Sequence, residues 1–220
     1  MDFTPFYLSL KLALITTIIL FALCVPLAFL MSRKEFYFKS VIEAVISLPL
    51  VLPPSVLGFY ILIFLSPYSP FGAFFESVFG VRLVFNFTAL VIASCIYSLP
   101  FMFSPIFAGF KQLNKNIIEA SYCLGKSPLT TLFKVALPNI KPNLLNALVI
   151  SFAHTLGEFG VVLMIGGSLK GETKVASIAI YEAVEIMDYE SAHIYSAIML
   201  AFSFILLLGV HFTSKKIKQI

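Results

Sequence analysis

Glu119–Pro138 reads EASYCLGKSPLTTLFKVALP, the longest polar-tolerant stretch in a chain that is otherwise apolar. Its order is that of two short helices with a turn between them. Asn114 or Asn116 caps a first helix over Asn116–Leu124, in which Ile117, Ser121 and Leu124 share one face. Gly125 suits a left-handed helix end. Ser127 caps a second helix, and Pro128 takes its first position, where a missing amide hydrogen costs little. Leu129, Leu132, Phe133 and Ala136 form its apolar face, and Pro138 ends it. A hairpin lying against a bilayer explains the apolar faces. It gives no reason for Glu119 or for the glycine, whereas a docking surface does.

Outside this stretch the chain is built for lipid. Of 220 residues, 60% are hydrophobic and only 12% charged, and mean hydropathy is +0.99. A soluble domain of this size could not hide so much apolar surface. Five blocks reach the roughly 20 residues that a membrane helix needs. They are about Leu8–Met31, Val41–Leu65, Phe87–Phe110, Leu144–Gly167 and Ile194–Thr213. The first is too long for the apolar core of a signal peptide and lacks a small-residue cleavage site, so it reads as a membrane helix. The loop at about 111–143 lies between the third and fourth blocks, within one membrane domain over residues 1–220. The expected fold is therefore all-α, a polytopic bundle of about five transmembrane helices.

Charge divides the connecting segments into two sets. Arg33, Lys34, Lys39, Lys111, Lys115, Lys126, Lys134, Lys141, Lys215, Lys216 and Lys218 fall on one side. The other side holds Lys11, Arg82, Lys170 and Lys174 with most of the acids. The positive-inside rule places the amino terminus outside and the carboxyl terminus in the cytoplasm. Lys11 is close enough to a helix end to snorkel to the headgroups.

Two spans carry irregular features. The second contains Pro49, Pro53, Pro54 and Gly58, so it must be kinked or partly unwound. Freed carbonyls are tolerated there only against protein or a wet cavity, which fits either a packed kink or the bent wall of a translocation path. The third span repeats the theme with Pro100 and Pro105. Two acids fall inside spans. Glu43 is near the basic end of its span and reaches water. Glu158, in HTLGEFG, sits about 14 residues into its span, roughly 21 Å at the helical rise. It must face the bundle interior, a partner or a cavity. A structural bond to backbone or His154 and a role in transport both fit. Residues 168–193 form the larger outer loop, and its Val175–Val184 part reads as a short interfacial helix.

Familiar catalytic patterns are missing. No Ser-His-Asp order, HExxH, CxxC or dinucleotide fingerprint occurs, and Cys24, Cys95 and Cys123 read as small packing residues. Ala120–Ser127 differs from a phosphate-binding loop only in its first position, yet Tyr122, Leu124 and Pro128 contradict the strand–loop–helix context that motif needs. ATP, where it drives the process, belongs to another polypeptide.

With those residues in place, the loop resembles the EAA loop of permease subunits in binding-protein-dependent ABC importers. That pattern is Glu-Ala-Ala, three residues, Gly, nine residues, Ile, any residue, Leu-Pro. Here Glu119, Ala120, Gly125, Leu137 and Pro138 match, Ser121 replaces the second alanine and Val135 the isoleucine, and the spacing is intact. SLPLVLPPSVLGFY (47–60) and HTLGEFGVVLMIGG (154–167) are similar to segments of molybdate permeases, and more loosely of sulfate permeases. The short length favours molybdate.

The resemblance implies a type I importer permease fold and a site set of two parts. Glu119, Ala120, Ser121, Tyr122, Leu124, Gly125 and Pro138 would couple to the ATPase, while Pro49, Pro53, Pro54 and Glu158 would belong to the path or its gate. The chain would bind no cofactor or metal and would be no enzyme itself; ATP and Mg would sit on the partner ATPase. Implied partners are a second copy of the chain, two cytoplasmic ATPases, an extracytoplasmic oxyanion-binding protein and membrane lipid, with no nucleic acid. The implied location is a bacterial or archaeal plasma (inner) membrane. Sulfate, thiosulfate or tungstate are alternative cargoes, and an ion-gradient-driven carrier is the rival class.

Overall fold

The apolar blocks form helices, but not five straight ones. The computed structural model describes residues 2–217, with side chains described as far as residue 209. Lys215, Lys216 and Lys218, part of the charge bias, lie outside the described side chains. Three helices are long and apolar enough to cross a membrane: α1 (Thr4–Arg33), α5 (Phe87–Gln112) and the Tyr189–Gly209 part of α12 (Tyr189–Ile217). The other two candidate spans are bent pairs. The pair α2 (Lys39–Ser47, extended by a 3-10 turn at Leu48–Leu50) and α3 (Pro54–Leu65) turns by 112°. Between α3 and α5 lies α4 (Pro70–Phe79), and α6 to α8 belong to the loop described below. The pair α9 (Lys141–Leu156) and α10 (Gly160–Gly166) turns by 57°. Last before α12 is α11 (Ala176–Glu185).

Helices α1, α5 and α9 pack on one another as the centre of the bundle. Their apolar positions make one buried cluster through Leu20, Cys24, Ala28, Phe29, Met102, Phe103, Ile106 and Phe110. Helices α3 and α10 pack on each other and on α5 through a second cluster that includes Leu57, Ile61, Ala93, Val161 and Ile165. Helix α5 is continuous despite Pro100 and Pro105, as α1 is despite Pro26, so the expected irregularity in the third span is absent. Its Asn86 caps the first turn, with Oδ1 accepting from the Ala89 amide at 2.8 Å. Helix α4 was not anticipated. At ten residues it is about 15 Å long, too short to cross. Helix α11 matches the expected short element almost to the residue, and Ile178, Ala179 and Ala183 bury one side of it.

The breaks are local and their backbone is satisfied. At the first, the Pro53 carbonyl accepts from the Val56 and Leu57 amides at 3.0 and 3.1 Å. At the second, Gly157 and Glu158 still donate to Ala153 and Thr155, and the Glu158 carbonyl accepts from the Ser177 hydroxyl of α11 at 2.6 Å. A buried carbonyl without such a partner costs several kcal/mol in hydrocarbon, on the order given by transfer data. The two breaks also touch. A Cβ on Gly160 would lie 2.8 Å from the Pro54 Cβ, and one on Gly58 3.0 Å from the Met164 Cβ. Because the Pro54 ring cannot swing aside, Gly160→Val should cost about 1–3 kcal/mol by overpacking. The expected result is a melting midpoint several degrees lower in detergent, checked by thermal unfolding of the purified variant.

Candidate functional site

The loop at the lysine-rich end is two helices clasped at a tight turn. Helix α6 (Lys115–Cys123) starts where Asn114 Oδ1 accepts from the Asn116 amide at 2.9 Å. It ends in a paired C-cap: Lys126 N donates to Ser121 O at 3.2 Å and Gly125 N to Tyr122 O at 2.9 Å. Gly125 has φ +71 and nothing lies within 4 Å of where its Cβ would stand. Left-handed backbone, not crowding, requires glycine there. Ser127 then caps α7 (Pro128–Thr131), its hydroxyl accepting from the Thr130 amide at 3.2 Å.

The registers differ from those read off the sequence. On α6 the buried residues are Ile118 and Ser121, while Ile117 faces outward and Leu124 is 76% exposed. In the second half, Leu132 and Ala136 are buried as expected, but Leu129 and Phe133 are exposed. A nine-residue helix offers too few positions for spacing alone to choose between Ile117 and Ile118. The core chooses, because Ile118, Leu132 and Ala136 complete the cluster around Phe29 and Phe110. Pro138 does not end the helix either. Residues Leu132–Ala136 form a π turn in which the Leu137 amide reaches back to Leu132 O, and α8 (Leu137–Asn139) continues past the proline. The wider turn leaves room for a ring that has no amide hydrogen to give.

The exposed residues of the loop therefore include one carboxylate, Glu119, with Ala120, Tyr122, Leu124, Leu129, Phe133 and Pro138 and the lysines Lys115, Lys126 and Lys134. Cys123 is exposed there too, which corrects its reading as a packing residue. Charges at this end are paired sparingly. Lys111 Nζ lies 3.6 Å from Glu43 Oε1, so Glu43 does reach the basic end of its span. Lys39 donates to Glu35 at 2.7 Å, and that hydrogen bond holds the Glu35 carboxyl below the usual carboxylate range.

The second part of the expected site lies at the two breaks. A recess of about 580 Å³ is lined by Pro54, Ser55, Tyr97, His154, Glu158 and Gly160 among others. Pro54 and Glu158 thus come together, with Pro53 beside them as the residue capping α3. Pro49 does not join them; it is buried within the preceding 3-10 turn. Glu158 is 4% exposed, and neither carboxylate oxygen has a hydrogen-bond partner among the described residues. His154 is not its partner. The imidazole Nδ1 pairs with the Ser98 hydroxyl at 2.9 Å, and the ring stacks on Phe101 with centroids 3.9 Å apart. Among the described residues no group of three or more His, Cys, Asp or Glu is arranged to hold a metal ion.

The sequence matches the family described as binding-protein-dependent transport system inner membrane component over residues 9–219. The chain belongs to this family. Its similarity to individual members extends over nearly the whole length. It is 39% identical to the molybdenum transport system permease protein ModB of Azotobacter vinelandii, covering 99% of this chain and 96% of that one. Against a putative molybdenum transport system permease protein of Bacillus subtilis, YvgM, the identity is 32% over 93% of this chain and 90% of the relative. The sulfate transport system permease protein CysT of Salmonella typhimurium is 28% identical, with 84% of this chain matching 66% of that protein. Among solved structures, a bacterial ABC transporter that imports alginate superposes with TM-score 0.80 at 18% identity, covering 97% of this chain and 79% of that one. The MetNI methionine ABC transporter gives 0.71 at 16% identity over 96% and 93%. These confirm the fold expected for an inner membrane component of this family.

Ser55, Tyr97, Thr131 and Ser177 escaped the sequence reading. Ser55 follows the Pro-Pro pair and was findable as the first polar residue after a helix restart. Tyr97 and Ser177 become neighbours of the site only through packing between separate helices, and Thr131 only through the fold of the loop back on itself. For the turn, the left-handed Gly125 gives a measurable consequence. A β-branched residue there costs about 1–2 kcal/mol and Asn much less. Gly125→Val should speed tryptic cleavage after Lys126 roughly tenfold, with Gly125→Asn close to wild type, as followed by limited proteolysis in detergent.

Proposed function

We propose that this chain is the membrane-spanning permease subunit of an ATP-driven importer for molybdate. Two copies form the pathway, α6 of each seats in a cytoplasmic ATPase, and an extracytoplasmic binding protein delivers the oxyanion. The amino terminus lies outside and the lysine-rich end, with the loop, faces the cytoplasm of a bacterial cell. The observation that carries the reading is the loop's construction. Glu119 and its apolar neighbours stand exposed on a capped helix whose far side is locked into the bundle core.

From that surface the chain runs through α7 and α8 directly into α9, and α9 ends at the break beside Glu158 and Pro54. Closure of the ATPases on nucleotide draws the two loops together, and the attached spans tilt to open the path outward. The energy is the differential affinity of nucleotide for two conformations. No Lys or Arg lines the recess, so cargo passes without a tight cationic site, and selection rests with the binding protein. Support for molybdate over sulfate comes from the extent of similarity. The chain spans 96% of the molybdenum relative of Azotobacter vinelandii, against 66% of the Salmonella sulfate protein.

The test is uptake by proteoliposomes holding the chain with its ATPase and matched binding protein. Molybdate accumulates only with ATP inside the ATPase-bearing compartment, and excess sulfate does not compete. Uptake driven by an ion gradient without ATP would establish a secondary carrier instead, and saturable uptake of sulfate alone would reassign the cargo. In the same vesicles Glu119→Ala lowers ATP-driven uptake roughly tenfold, the size expected for losing a charged hydrogen bond, while membrane insertion is unchanged.

A further inference from the structure

Ten residues apart in sequence, Ser121 and Thr131 meet inside the loop. Ser121 Oγ lies 2.9 Å from Thr131 Oγ1, and the two residues are 4% and 0% exposed. Neither side chain is on the outward surface, so neither is available to a protein seated on α6. Each joins a different helix: Ser121 the last turn of α6, Thr131 the last position of α7.

The covalent link between those helices is a short turn through Gly125. That turn is left-handed, exposed and free of side-chain contacts around the glycine. Two backbone hydrogen bonds, from the Gly125 and Lys126 amides, are what stiffen it. Beyond it the chain stays helical through α7, the π turn and α8, and only Ile140 separates α8 from α9. A push on α6 reaches α9 through what bridges the turn: the packing of Ile118 in one cluster with Leu132 and Ala136, and the Ser121–Thr131 bond. Apolar contacts of Ile118 with the core choose the inward face of α6 but are non-directional, so they set its position against α7 only coarsely. A hydroxyl–hydroxyl bond is directional and fixes it.

We propose that the Ser121–Thr131 pair is a positioning clasp that locks α6 to α7, so that displacement of α6 by a docked ATPase reaches α9 instead of being absorbed at Gly125. This rests on the docking role proposed for α6. Loss of one hydroxyl does not strand the other, since a helical Ser or Thr hydroxyl has the carbonyl four residues earlier within reach. The consequence is loss of coupling in a folded protein, not loss of the fold.

The test compares wild type with Thr131→Val, Ser121→Ala, the double variant and Thr131→Ser, each in proteoliposomes with ATPase and binding protein. Three quantities are read: affinity for the ATPase, melting midpoint, and molybdate imported per ATP hydrolysed. Thr131→Val should bind ATPase within about twofold of wild type and lose roughly fivefold in import per ATP, the scale of one hydrogen bond. Thr131→Ser should restore the ratio, and the double variant should be no worse than either single one. A wild-type ratio in Thr131→Val and Ser121→Ala overturns the clasp. So does a loss of ATPase binding together with a large fall in melting midpoint, which would make the pair part of the fold alone. If wild type itself binds no ATPase, the docking role fails, and the clasp fails with it.

Discussion

Gly160 presses against Pro54 so closely that a Cβ would come within 2.8 Å of the proline ring, and the two interrupted spans are joined at that contact. A helix broken in hydrocarbon survives only where protein replaces the hydrogen bonds it has lost. Here the Pro53 carbonyl holds the start of α3, and the Ser177 hydroxyl reaches from α11 to the Glu158 carbonyl. Each break needs the other's surface and a third element to be tolerated. The recess with Ser55, Tyr97 and Glu158 is what remains between them. The recess lies beside that contact, and α11 is seated on α1 by its own bonds, the Ala176 amide donating to the Ser9 hydroxyl at 2.8 Å.

At the opposite end of α9 the structure solves a different problem. A short helix in water has little stability of its own, so α6 is held by Ile118 in the core cluster and by caps at both ends. Its exposed side is then free to carry Glu119 and apolar residues without support from neighbours. Of the sparse ion pairs nearby, Lys111 with Glu43 is half-exposed and contributes little to stability, while Lys39 is buried with only its Glu35 partner in the open. Loop and recess are the two ends of one helix. In the function proposed for the chain, that arrangement would tie docking at the lysine-rich end to the geometry of the recess.

Much of this was legible in the sequence, for physical reasons that can be named. The five apolar blocks, the cap at Asn114, the left-handed Gly125 and the Ser127-Pro128 start are local, and local chemistry decides them. The Pro-rich second span announced its break, because three prolines remove three amide hydrogens. The break at Gly157–Phe159 was missed: glycine is tolerated in membrane helices, and nothing within HTLGEFG forbids a continuous one. Conversely, Pro100 and Pro105 suggested an interruption that packing on α1 and α9 suppresses. Which face of α6 turns inward and the Ser98 partner of His154 depend on segments far apart in the chain, and the pairing of Ser121 with Thr131 depends on how two short helices fold back across a turn. No spacing rule contains them.

The account depends most on α6 being the seat of a cytoplasmic ATPase, and Cys123 on that helix is an exposed native thiol while Cys24 is buried. A membrane-impermeant maleimide applied to inside-out vesicles, with Cys95→Ala to remove the half-buried thiol, measures that seat directly. The account predicts rapid labelling of Cys123 in vesicles stripped of ATPase, protection when the ATPase is added back, and no labelling in right-side-out vesicles. Labelling from the outer side, or equal labelling with and without the ATPase, would contradict it.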